Sequence, residues 1–268
     1  MRTKTLLLTA AALLAAGIVS TQAQPVYSQN IVGYTTEILP VGWASVNTPL
    51  DLSGGNYLTN VFPNPGPGSG ANALDFSKVY IWNGVGYSVY TLDSDFASGV
   101  ADAFDNNQVS PPPTVNPGTL IYIYTKGGNL TIRATNVLAG TVHVDTPADF
   151  VTTFVGATTN VLVKGFNFVA SKLPVAGGLT SVLQLKNAGP GGGNNVLDFS
   201  LVYIPNINAS GVFVGYNTYT IDSDFASGYA DAFDNNQVAE PQIPVGSAII
   251  IKYVDNNNQG PYYWVQQY

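Results

Sequence analysis

The chain has 268 residues, and only 9% of them are charged: 9 Lys or Arg stand against 16 Asp or Glu, a net charge of −7. That balance excludes a basic nucleic-acid binder and would repel polyphosphate ligands. Hydrophobic residues make up 46% and aromatics 12%, with 28 Gly, 17 Pro and one Met, a composition of strands and turns that can bury one sizeable core or two small ones.

Arg2 and Lys4 give the chain a basic start, residues 6–19 are an uncharged apolar run, and Thr21-Gln22-Ala23 sets small residues at −3 and −1 before Gln24. Residues 1–23 read as a secretory signal peptide. The apolar run is 14 residues, short of the roughly 20 that cross a bilayer, and no later stretch approaches that length, so no transmembrane helix is expected. Removing Arg2 and Lys4 leaves 7 basic against 16 acidic groups in 245 residues, or −9. Without Cys there is neither a disulfide framework nor a lipid-anchoring thiol, so the expected destination is extracellular, cell-surface or periplasmic, with stability drawn from the core or from bound ions.

Further along, residues 30–39, 43–47, 79–82, 86–92, 120–125 and 130–134 are rich in Val, Ile, Tyr and Thr and are bounded by Gly, Pro or Asn, the pattern of strands. Their spacing of about 8–12 residues favours a sandwich or barrel. Short helices are predicted at 56–62 and 179–185, each after a Gly pair, and 137–163 reads as strands joining two units.

Those units are copies of one another. Residues 42–81 align with 165–204 at a constant offset of 123, matching Gly54-Gly55 with Gly177-Gly178 and Leu74-Asp75-Phe76-Ser77 with Leu197-Asp198-Phe199-Ser200. After six extra residues near 206–211 the offset becomes 129, and residues 91–109 match 220–238 at 17 of 19 positions. The expected organisation is a first β-rich unit over 24–136, connecting strands over 137–155 and a second unit over 156–268. The fold class is mainly β: two related sandwich or barrel-like units with one or two short helices each, packed together.

The order Ser28-Gln29-Asn30-Ile31-Val32-Gly33-Tyr34, Leu39-Pro40-Val41-Gly42-Trp43, Val79-Tyr80-Ile81-Trp82-Asn83-Gly84, Lys164-Gly165-Phe166-Asn167 and the terminal Tyr263-Trp264 resembles secreted, internally duplicated β-proteins abundant in verrucomicrobia-like bacteria. The resemblance spans nearly the whole mature chain and implies export; it brings no catalytic residues and no ligand set. The chain departs from the family pattern at Gly118-Thr119-Leu120-Ile121-Tyr122, where Gly-Glu-Gly-Phe-Phe is expected, and the acidic block described next lies outside that pattern.

Half of the 16 acidic residues fall in the repeated segment: Asp93, Asp95, Asp102 and Asp105 in one copy, Asp222, Asp224, Asp231 and Asp234 in the other. Two readings stand. A helix over 95–104 would place Phe96, Val100, Ala103 and Phe104 on one face and Asp95, Asp102 and Asp105 on the other, with Asp93 or Ser94 as its cap. Against it, Gly99 mid-helix costs about 1 kcal/mol and two Asp sit where the macrodipole opposes negative charge. The other reading is a Ca²⁺ site, since four carboxylates with no Lys or Arg in the block are what a hard cation takes, although the spacing is not that of an EF-hand.

Catalytic chemistry is sparse. His143 is the sole histidine, which excludes a multi-histidine metal site, and a Ser-His-Asp arrangement would have to use it with Asp145. Asp75 and Asp198 read as caps of a turn before a strand. Tyr80, Trp82, Tyr87 and Tyr90, with Tyr203, Tyr216 and Tyr219, alternate along strands, so rows of rings either pack into the core or stack on sugars. The function expected is therefore a secreted, non-enzymatic structural or interaction protein of the cell surface or extracellular matrix, with calcium as a candidate stabiliser. The alternatives are a carbohydrate-binding module or adhesin and, behind it, an outer-membrane β-barrel. The partners in view are polysaccharide or cell-envelope components, not nucleic acid.

Overall fold

A computed structural model describes residues 32–39, 41–63, 72, 74–126, 134–143, 157–186, 195–208, 213–255 and 258–267. The signal peptide expected at 1–23 and the Gly-rich stretches at 66–70 and 189–193 lie outside them. In chain order the first half carries β1 (Val32–Leu39), β2 (Gly42–Val46), β3 (Leu50–Leu52), α1 (Leu58–Val61), β4 (Lys78–Trp82), β5 (Tyr87–Leu92), β6 (Val100–Asp102), β7 (Ile121–Thr125) and β8 (Ala134–Val142). The second carries β9 (Ala157–Leu162), β10 (Gly165–Ala170), β11 (Gly177–Gly178), β12 (Leu201–Ile207), β13 (Phe213–Ile221), β14 (Tyr229–Asp231), β15 (Gln242–Ile243), β16 (Ala248–Tyr253) and β17 (Tyr262–Gln267).

Alternation decides which face each strand buries. In β7, Ile121 and Ile123 are fully buried while Tyr122 and Tyr124 point the other way. The β4–β5 hairpin closes at Asn83-Gly84, where Gly84 takes φ +95° and the Asn83 side chain accepts the N–H groups of Val85 and Gly86. Two five-stranded antiparallel sheets result, in the orders β2-β7-β4-β5-β6 and β10-β16-β12-β13-β14. Position by position the second order repeats the first.

Each sheet buries one face under a smaller group of strands. In the first half β1 and β3 flank β8, and Leu39, Leu50, Leu138 and Val142 meet Val79, Ile121 and Ile123 in one core. In the second, β9 pairs with β17, and Leu162 and Trp264 pack with Val202, Ile249 and Ile251. The molecule is mainly β, built as packed sandwich-like layers. No sheet closes into a barrel, and no helix is long and apolar enough to cross a membrane, among the described residues.

The halves are joined by an apolar knot and a polar one. Leu120, Ala170 and Ala248 form a small buried cluster with Tyr122, Phe168 and Ile250 against it, and Leu173 of the second half enters the first core. Beside them the buried Asn47 amide donates to Ser171 O and accepts the Gly118 N–H. Gln266, also buried, accepts the Lys172 N–H and donates to Ser171 Oγ and Leu183 O.

Two helix expectations change. At 56–62 only the single turn α1 forms. Residues 179–185 are not a helix: Glu240 captures the N–H groups of Thr180 and Ser181, Val182 and Leu183 both bond to Gly178 O, and Gln184 takes φ +62°. Glu240, 60 residues away, caps the first N–H groups as it would a helix start, but the left-handed backbone of Gln184 stops the turn from propagating, and the segment stays irregular.

Candidate functional site

The face of the first sheet opposite its core is lined with rings. Trp43 on β2 lies 5.0 Å from Tyr80 on β4 and 5.1 Å from Tyr124 on β7, ring centre to ring centre. The row continues through Tyr87, 6.4 Å from Tyr80 and 6.0 Å from Tyr122, and Trp82, 5.2 Å from Tyr87. Cross-strand register produces this, because Trp43 faces Tyr124, Tyr122 faces Tyr80 and Tyr87 faces Trp82 on neighbouring strands. Where the second half meets this face, Phe168 packs 4.4 Å from Trp82, and the phenols of Tyr122 and Tyr216 meet at 2.6 Å. At the far end Trp43 and Tyr124 are each 42% exposed. The second sheet carries a shorter counterpart, with Phe166, Tyr203, Tyr216 and Phe213 in successive ring contact.

Burial raises the Tyr87 phenol to about 12, with the nearby Tyr216 adding to the shift. Tyr122 is pushed higher still by burial and by its bond to Tyr216. These hydroxyls are neutral at physiological pH and serve as hydrogen-bond donors and acceptors, not acid–base groups. Of the rings expected to share a row, Tyr80, Trp82, Tyr87, Tyr203 and Tyr216 do. Tyr90 and Tyr219 instead turn inward and pack against the two cores, because they stand an odd number of residues from Tyr87 and Tyr216. Trp43, Tyr122, Tyr124, Phe166 and Phe168 were not anticipated, although the Ile-Tyr-Ile-Tyr alternation of β7 carries the signal.

The acidic block is neither a helix nor a gathered cluster. Gly99 takes φ +69°, which ends a tight turn, and Val100–Asp102 then pairs with β5 as β6. Strand pairing overrides the helical pattern because the left-handed glycine breaks it in the middle. Three of the four carboxylates cap local turns: Asp93 accepts the Asp95 N–H, Asp102 accepts those of Phe104 and Asp105, and Asp105 accepts that of Asn107. Asp222, Asp231 and Asp234 do the same for Asp224, Phe233 and Asn236. Asn107 and Asn236 hold the Asp105 and Asp234 carboxyls below the usual carboxylate range through these bonds. No three His, Asp or Glu side chains among the described residues stand close enough to share an ion, so Asp93, Asp95, Asp102 and Asp105, like Asp222, Asp224, Asp231 and Asp234, are not brought together as a ligand set. Asp75 lies in the turn before β4, but its side chain reaches across to buried Ser94, accepting its N–H at 3.0 Å and its hydroxyl at 2.8 Å. Asp198 holds Ser223 at the same two distances.

His143, just past the end of β8, pairs through Nδ1 with Asp51 Oδ2 at 2.9 Å; its sequence neighbour Asp145 lies outside the described residues. The pair borders a cleft of about 410 Å³ whose wall also includes Asn56, Thr114, Asn116 and Lys172. Among the described residues the wall carries the Thr114 hydroxyl and no serine, and the His143–Asp51 contact ties β3 to the end of β8. Comparison with family models, curated proteins and solved structures finds no match to the chain.

Proposed function

We propose that the protein is an exported, non-enzymatic interaction protein of the cell surface or extracellular matrix, and that its aromatic face is a binding surface for neutral polysaccharide. The observation that carries this reading is the open end of that face, where Trp43 rests on Tyr80 and Tyr124 and both outer rings keep 42% of their surface in solvent. Rings fixed on a rigid sheet lose little freedom on binding and offer flat apolar surfaces, with phenol hydroxyls beside them, to the faces of sugar rings. The net charge of −7 disfavours acidic polymers and leaves neutral glycans as the fitting class.

Export rests on the basic start, apolar run and small-residue exit of residues 1–23 and on the resemblance of the chain to secreted duplicated proteins. The non-enzymatic reading draws on where the titratable groups point. Asp75 and Asp198 clamp serines, Glu240 clamps a turn, and Asp102 and Asp105 cap turns, so these carboxylates serve the scaffold.

Affinity electrophoresis of the mature protein through gels cast with neutral polysaccharides tests the reading, with charged polysaccharides as controls. Retardation by at least one neutral polymer, abolished in Trp43→Ala and Tyr124→Ala, is the expected result. Equal mobility in every gel rejects the glycan and leaves the face as a surface for another partner.

A further inference from the structure

The two copies of the repeated block have diverged in the wrong place for a segment kept only by packing. Residues 91–109 and 220–238 differ at two positions out of 19, whereas residues 42–81 and 165–204 agree at only 18 of 40. The two differences are Leu92 against Ile221 and Val100 against Tyr229, and all four side chains are buried in their cores. Interior residues have thus changed while the surface of the block has stayed the same.

Much of that surface identity has a scaffold explanation. Ser94 and Ser223 are held by Asp75 and Asp198, Asp102 and Asp231 cap the turn that follows, and Asn106 and Asn235 take left-handed backbone at φ +56° and +55°. Among the surface residues that remain, one in each copy is a large apolar side chain. Phe104 and Phe233, on that turn, are 84% and 87% exposed, yet their backbone N–H groups are pinned by Asp102 and Asp231 at 2.8 Å in both copies. The fold fixes where each ring sits and gains almost no burial from it. An apolar ring held out in water twice, in the same geometry, is explained by what it meets outside the molecule.

The geometry points to Phe104 and Phe233 as twin docking tips, each inserting its ring into an apolar pocket of a protein partner whose rim carries Lys or Arg. The charge of the rim follows from the carboxylates on either side of each ring, Asp102 and Asp105 in one copy and Asp231 and Asp234 in the other. A second copy of this chain is a poor occupant, because acidic tips on molecules of net charge −7 repel one another. None of the rings of the aromatic face takes part, so the inference stands independently of glycan binding.

The test places p-benzoylphenylalanine at position 104, at 233, or at the 93% exposed control Val85, in the full chain within the cells that produce it, followed by irradiation. The expected result is an adduct with one and the same protein from 104 and from 233 but not from 85, with Lys or Arg beside the attachment point. Added wild-type protein should suppress the adduct at a concentration at least about tenfold below that needed for Phe104→Ser/Phe233→Ser, a variant whose far-ultraviolet spectrum checks that it is folded. The inference is overturned by adducts no stronger than those from 85, by different proteins at the two tips, or by capture of a second copy of the chain, a lipid or a glycan. Equal suppression by the folded double variant overturns it as well.

Discussion

Removing the Ser94 hydroxyl measures how firmly the acidic block is anchored, and Ser223 offers the same measurement in the second half. Ser94 is buried, and its hydroxyl donates to the Asp75 carboxylate at 2.8 Å while its N–H donates to the other oxygen. A hydrogen bond to a charged acceptor contributes about 1.5–3 kcal/mol, and Ser94→Ala removes one such bond while leaving the N–H in place. We therefore expect a loss of about 1.5–3 kcal/mol in urea-unfolding free energy followed by tryptophan fluorescence. Ser223→Ala should lose a similar amount, because the Asp198 contacts have the same lengths. The double variant Asp75→Asn/Ser94→Ala should lose less than the sum of its parts by at least about 0.5 kcal/mol, the signature of groups in direct contact. Losses under about 0.5 kcal/mol at both serines, or strict additivity in the cycle, would refute the anchoring argument.

Two further expectations concern ions and pH. Calcium as a stabiliser of the acidic blocks is checked by melting curves with millimolar calcium and with a chelator: an ion at 100-fold its dissociation constant would add about 2.7 kcal/mol and separate them visibly, and coincident curves would reject it. At alkaline pH the half-buried Tyr262, whose phenol donates to Lys186 O, is raised by burial from 10.0 to about 12, as is Tyr87. Both are neutral in the folded and unfolded chain below pH 10, so stability there is unaffected. Between about 10 and 12 the unfolded chain ionises first and stability falls, on the order of 2 kcal/mol for Tyr262 and much less for the 37% exposed Tyr87, whose surroundings are screened by water. Urea midpoints measured from pH 9 to 12 should show the decline, flattened in Tyr262→Phe; an identical curve for that variant would count against it.

Local signals were readable where the interaction they report is local. The Asn83-Gly84 turn needs only its own backbone and one amide side chain, and the alternation of β7 follows directly from a pleat with one buried face. The repeated block was visible as a repeat, but its conformation was not. A helical wheel accommodates Phe96, Val100 and Phe104, and what decides against it is the pairing of Val100–Asp102 with β5. At 179–185 the left-handed backbone of Gln184 ends a turn whose first N–H groups are held by Glu240, 60 residues away, and His143 meets Asp51, 92 residues back. Spacing along the chain cannot express such contacts, whereas it can express a turn. Phe104 had an inward role in the helical reading and has an outward one in the structure, so the residue on which the docking inference rests became visible only once the strand was placed.

The aromatic face joins cohesion and recognition on one surface, and its two ends should separate under substitution. At the inner end Phe168 touches Trp82 and Tyr87, beside the buried Leu120, Ala170 and Ala248 that knit the halves. Its counterpart at the offset of 123 is Ser45, so the same place on the first sheet holds a small polar residue, and the ring contact is made from one side only. Aromatic pairs contribute about 0.5–1.5 kcal/mol each beyond the area they bury, so Phe168→Ala should cost about 1–3 kcal/mol from its two ring pairs alone. Trp43→Ala at the outer end, where the ring is 42% exposed, should lower stability by less than Phe168→Ala while abolishing any glycan retardation. Well below its melting temperature Phe168→Ala should retain that retardation, because the Trp43–Tyr80–Tyr124 group is held by the first sheet itself. If both substitutions lowered stability equally and left binding unchanged, the rings would be packing alone, and the division of the face into an inner seam and an outer platform would be wrong.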